Sequence, residues 1–216
     1  MIASRRYRYD LLLGLIAVSL SFQLAAPVAD WSRLVTVALQ GATLVLALRT
    51  SQARPLLVRV AAVAVAAALV GSVTAVLSGG DAGSDSTVLT SALLVGLAPA
   101  GIAAGVARSI REDQGVSIAT MFGVLCIYLL LGMFFAFAYG TISTLGSAEF
   151  FAQQSNPTQA DFLYFSYTTL TTTGFGDLTA VTGLGRAVTI SEALVGQVYL
   201  VTVVAAIVSN LRPRHA

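Results

Sequence analysis

Between two long apolar stretches, roughly 117–143 and 186–210, lies a helix-forming segment too short to match them, about Gln159 to Thr171. At 1.5 Å per residue it reaches roughly 20 Å, against about 30 Å for the hydrocarbon core of a bilayer. It cannot cross. The residues after it, Thr172-Thr173-Gly174-Phe175-Gly176-Asp177, hold two glycines around an aromatic and are not helix-forming. Non-helical backbone at membrane depth is tolerated only where it is buried in protein or lines water. Few folds satisfy that demand: the short helix enters partway and the chain returns as irregular backbone, enclosed by the flanking helices.

The membrane setting follows from composition. The chain is 56% hydrophobic and 10% charged, with a mean hydropathy of +0.84, too little polar surface for a soluble domain. Six segments approach the roughly 20 residues needed to span: 11–29, 33–49, 56–78, 88–107, 117–143 and 186–210. All twelve basic residues are arginine. Ten fall on one side of this arrangement: Arg5, Arg6, Arg8, Arg49, Arg54, Arg59, Arg108, Arg111, Arg212 and Arg214. The positive-inside rule makes that side cytoplasmic and puts both termini there. Asp30, Asp81, Asp85, Glu149, Asp161 and Asp177 collect on the outer side, where they mildly concentrate cations.

Thr172–Asp177 resembles the selectivity filter of potassium channels, usually written T-V-G-Y-G-D. The resemblance runs from about Asp161 through Asn210. It takes in an aromatic-rich pore helix, the filter, Gly185-Arg186 at the start of the last helix, and Gly196 in its middle. It implies potassium bound by the Thr172 hydroxyl and by the carbonyls of Thr172, Thr173, Gly174 and Phe175, with Gly176 permitting the exit turn. It also implies Asp177 as the filter-mouth aspartate, for which Tyr164 offers a hydroxyl brace, and Gly196 as a hinge, with a helix-packing role equally open. Thr173 stands where valine is commoner and Phe175 where tyrosine is commoner. Both keep the backbone carbonyls, and Phe175 loses the hydroxyl that ties the filter to its surroundings. One chain supplies one filter strand, so four copies around an axis are implied.

Local signals support the same region. Pro157-Thr158-Gln159-Ala160-Asp161 has the form of a capping box, with Thr158 as N-cap and Asp161 three residues on. Gly146–Asn156 reads as an outer turret. In the last helix Gln197, Leu200, Val201, Val204 and Val208 share one face, a candidate cavity lining and apolar gate. Glu192 is the acidic residue in a membrane core, where charge is costly. A hydrogen bond to the hydroxyl of Thr168 or Thr169 on the pore helix is its expected role, as a support of the filter, with a cavity-facing cation site as the alternative.

The rest of the chain reads as scaffold. The first segment follows Arg5-Arg6 in the manner of a secretory signal, and its length favours a retained span. Spans two and three carry Gly41, Gly71 and alanines that permit close helix packing. Residues 79–86 form an outer loop, and Pro99 kinks span four. That span lacks intramembrane arginines, so it is not expected to sense voltage. Arg108–Gly115 links it to span five.

The composite expectation is an all-α membrane protein with six transmembrane helices and a re-entrant pore helix and filter between helices five and six. Residues 1–116 form a four-helix transmembrane domain with its linker, and 117–216 the pore domain. As a homotetramer in the plasma membrane it passes potassium passively, with no cofactor. The alternatives are a non-selective monovalent cation channel and a potassium transporter subunit, the latter normally carrying four pore loops in one chain. No basic patch with interleaved aromatics suggests nucleic acid. Cys126 stands alone, His215 has no ligand cluster near it in sequence, and no intramembrane His, Asp or Glu cluster suggests an enzyme.

Overall fold

In a computed structural model of the protein, the residues described are 9–27, 29–51, 55–77, 118–146 and 148–210. Among them are six helices and no strand: α1 (Tyr9–Ala25), α2 (Asp30–Thr50), α3 (Pro55–Leu77), α4 (Ile118–Leu145), α5 (Gln159–Leu170) and α6 (Gly183–Asn210). Of these, Trp31–Thr50 and Thr120–Leu145 are long and apolar enough to cross a membrane. The expected fourth span at 88–107, the loop at 79–86, the linker after Arg108 and the arginines near both termini lie outside the described residues. So does the question of voltage sensing.

α1 presents Tyr9, Leu12, Ile16, Ser19 and Gln23, a helical stripe, as its buried side. The stripe packs α1 against α2, α4 and α5, so the first helix shares a core with the C-terminal half. Cys126 of α4 is a buried member of that core, its thiol donating to the Tyr9 carbonyl at 3.8 Å.

α2 and α3 meet at Gly41. A Cβ there would lie 2.3 Å from Val65 Cγ1, so the absence of a side chain sets how near the helices come. Gly71, by contrast, has nothing within 4 Å of a built Cβ and sets no contact among the described residues. Gly41→Ala is expected to lower the melting temperature, and Val65→Ala to restore most of the loss, because the obstacle is a side chain that can be shortened. Thermal unfolding of the two single variants and the double variant measures this.

α4 and α5 meet through a second close approach. A Cβ on Gly132 would lie 2.6 Å from the Tyr167 ring. Tyr167 uses this gap to donate to the Leu129 carbonyl (2.6 Å), and Ser166 donates to the Gly132 carbonyl (2.7 Å). Beside them Phe150, Phe151, Phe162 and Phe165 form an aromatic cluster with Tyr139, with most rings edge to face. Phe150 and Phe151 belong to the stretch expected to be an outer turret. They are instead fully buried core residues, because α5 is too short to cover its own aromatic face. Backbone bonds from Ala152 to Thr179 (3.0 Å) and from Val181 to Phe150 (2.9 Å) then tie the chain before α5 to the chain after Asp177.

Candidate functional site

The site is built from the start of α5. Thr158 is its N-cap and accepts from the Asp161 N–H at 3.4 Å, while Asp161 accepts from the Thr158 N–H and hydroxyl, each at 2.7 Å. Gln154 donates to the same carboxylate at 3.0 Å. This reciprocal cap fixes where the helix begins. α5 then runs 12 residues, about 18 Å.

Its other end opens into the threonine-glycine segment. The Thr172 N–H donates to the Thr169 carbonyl (2.9 Å) and the Thr173 N–H to the Thr168 carbonyl (2.8 Å). This crossed pair closes the helix in a Schellman turn. Such a turn needs a left-handed residue, normally glycine, and here Thr172 takes it at φ 56°. For a β-branched residue that conformation is strained, by about 1–3 kcal/mol. Gly174 at φ 54° and Gly176 at φ 81° follow. Left-handed residues therefore occupy every second position, 172, 174 and 176. Alternating handedness turns successive carbonyls to one side of a chain. Among the described residues none of the carbonyls from Thr172 to Asp177 accepts a hydrogen bond, and these residues are exposed. A built Cβ on Gly174 or Gly176 meets nothing within 4 Å, so dihedral angle alone calls for glycine.

Side chains hold this segment from several directions. Thr171 donates to the Tyr167 carbonyl (2.7 Å), so in its 2.8 Å contact with Thr173 the Thr173 hydroxyl is the donor. Tyr164 donates to Asp177 at 2.7 Å and its ring lies parallel to that of Phe175, with centroids 6.3 Å apart. Phe175 is 69% exposed and has no hydroxyl to anchor it. Thr168 contributes its carbonyl, which accepts from both Thr173 and Gly174, while its hydroxyl turns back to the Phe165 carbonyl at 2.9 Å. Tyr164→Phe is expected to leave folding intact and to speed the decay of current during sustained recording, since Asp177 loses that donor. A decay time equal to the wild type would count against the brace.

Behind the segment Glu192 of α6 is fully buried. Its two oxygens lie 2.5 Å from the hydroxyls of Ser166 of α5 and Tyr139 of α4; Tyr139 donates, and the single Ser166 hydrogen is shared between Glu192 and the Gly132 carbonyl. The expected partners were Thr168 or Thr169. α5 turns Ser166 toward α6 instead, and Tyr139 enters from a helix the sequence did not connect to Glu192. Four residues on, Gly196 sits so close to α5 that a Cβ would lie 2.3 Å from the Leu170 carbonyl oxygen. Of the two roles left open for Gly196, this geometry is that of a packing glycine.

The opposite side of α6 is open. Gln197, Leu200 and Val201 are exposed, Val201 by 64%. Val204 and Val208 lie on the same helix, and their side chains are outside those described. Ser166, Tyr139, Tyr128, Tyr199 and Gly132 escaped the sequence reading. Their common signal was polar or glycine residues inside apolar helices, a pattern that marks packing points without naming the partners.

Comparison with known proteins agrees with this geometry. No curated protein and no solved structure matches the chain. Residues 124–212 match the family model described as ion channel, a range that holds α5, the threonine-glycine segment and all of α6. Residues 124–212 are thus similar to an ion-channel domain, in a chain with two described helices long and apolar enough to cross a membrane.

Proposed function

We propose that the protein is one subunit of a potassium-selective channel, with four copies around a common axis. Each contributes Thr172–Gly176 as one filter strand. The observation that carries this is the left-handed backbone at Thr172, Gly174 and Gly176, with exposed carbonyls that have no partner among the described residues. Once four copies close around these carbonyls and exclude bulk water, leaving them unpaired is costly unless something takes the place of a partner. A dehydrated monovalent cation does so, ringed by four sets. The Thr172 hydroxyl and the carbonyls of Thr172, Thr173, Gly174 and Phe175 hold it, and Gly176 makes the exit turn. α5 adds to this, since the partly negative C-terminal end of a helix favours a cation near Thr172.

In this reading α5 is re-entrant between two spanning helices within a six-span chain whose termini are both cytoplasmic. Residues 117–216 form the pore domain and 1–116 a four-helix domain beside it, in the plasma membrane. The exposed side of α6 lines the inner cavity, with Gln197 as its polar member and Leu200, Val204 and Val208 as an apolar throat. Conduction is passive and needs no cofactor. The Phe175 ring bears on the second reading, a cation pore with little selectivity, because it has no hydroxyl to anchor it and only the Tyr164 ring stacks on it among the described residues.

Rubidium uptake into vesicles holding the purified protein tests the proposal. Uptake blocked by excess external potassium and unaffected by equal sodium supports it. Equal competition by both ions selects the non-selective pore.

A further inference from the structure

The inner end of the threonine-glycine segment is gripped by residues that have no part in holding ions. Leu170 is the last residue of α5, so its carbonyl has no partner within the helix. Tyr128 of α4 fills that place, donating to it at 3.2 Å. The Tyr128 ring stacks on the ring of Tyr199 in α6, with centroids 5.7 Å apart and planes 28° from parallel. The Tyr199 hydroxyl in turn donates to the Val124 carbonyl at 2.7 Å, one turn before Tyr128 on α4. Gly196, one turn before Tyr199 on α6, lies against the same Leu170 carbonyl. Glu192, Gly196 and Tyr199 thus form one stripe along α6, and each is held to α4 or α5.

We propose that Tyr128 is a positioning residue that couples the inner helix to the ion pathway. Its ring follows Tyr199, and its hydroxyl carries that displacement to the Leu170 carbonyl, two residues before Thr172. The stripe has a further consequence. α6 is clamped from Glu192 to Tyr199, so any bending of the inner helix takes place beyond Tyr199 and reaches the filter through this pair. The proposal rests on Thr172–Gly176 being the ion pathway. It does not require that pathway to prefer potassium.

The test is a double-mutant cycle in single-channel recordings of the full chain in bilayers, using Tyr128→Phe and Tyr199→Phe, which remove hydroxyls and keep the stacked rings. Recordings use whichever of potassium and sodium the wild type carries. Each single variant is expected to change open probability by about fivefold, the equilibrium shift that loss of one neutral hydrogen bond produces. The double variant is expected to match the single ones, because both hydroxyls act along one chain of contacts. Independent, multiplying effects would overturn the coupling, as would a lowered melting temperature with unchanged open probability. If Tyr128→Phe does not reach the membrane, Tyr199→Phe is read alone, and unchanged open probability overturns the proposal. A wild type that passes potassium and sodium equally sinks the potassium reading, while the cycle is still decided in the same traces.

Discussion

Glu192→Ala is expected to abolish selective conduction and to lower the melting temperature sharply, whereas Glu192→Gln keeps most of both. The alanine variant removes the acceptor of the Tyr139 hydroxyl, a group with no exposure, and leaves buried Ser166 with the Gly132 carbonyl alone. A buried polar group left without its partner costs about 1–3 kcal/mol, and the vacated space adds a cavity term. Glutamine has nearly the same shape and offers one acceptor and one donor. The acceptor serves Tyr139. The donor serves the Ser166 oxygen, and Ser166 gives its own hydrogen to the Gly132 carbonyl, which lies 2.7 Å away. A glutamine variant as damaged as the alanine variant would mean that the carboxylate charge matters, not the strut. Ion selectivity and thermal unfolding of the two variants decide between these outcomes.

Gly196→Ala is expected to be nearly as severe. The new Cβ would meet the Leu170 carbonyl oxygen at 2.3 Å, and the Leu170 carbon at 3.1 Å. Both are backbone atoms, so α6 and α5 must separate. Forced overpacking of this kind typically costs about 1–3 kcal/mol, and here the displacement falls next to Thr172. Shortening Leu170 removes its Cδ1, 2.9 Å from the new Cβ, but leaves the backbone oxygen at 2.3 Å, so it is not expected to rescue the variant as Val65→Ala does at Gly41. A hinge glycine would behave differently. Its replacement by alanine would leave stability and selectivity near the wild type and change only opening and closing. Melting temperature together with the permeability ratio of the variant separates the two roles.

The parts of this structure that the sequence announced are those fixed by neighbours along the chain. The capping box at Thr158 and Asp161, the length of α5 and the glycines at 174 and 176 depend on residues within a few positions of each other. They were readable for that reason. Thr172 was only half readable. The glycines at 174 and 176 suit the left-handed region, yet threonine is a poor residue for it, and only the turn that ends α5 places Thr172 there. What was misread depends on how helices rotate against one another. Whether Ser166, Thr168 or Thr169 faces Glu192 is a matter of the angular setting of α5, about 100° per residue, and no local pattern fixes it. Phe150 and Phe151 lie in a loop, as read, but their burial was not legible because their partners, Phe162 and Phe165, come later in the chain. Tyr128 and Tyr199 are 71 residues apart and meet only once α4 and α6 are packed.

The central claim is that cations pass along the backbone from Thr172 to Gly176 and that potassium is preferred. The most direct measurement is the reversal potential of the purified protein in a planar bilayer as potassium on one side is replaced by sodium. The account predicts that the potential moves steadily toward the potassium equilibrium value. A reversal potential that stays at zero throughout the replacement would contradict it.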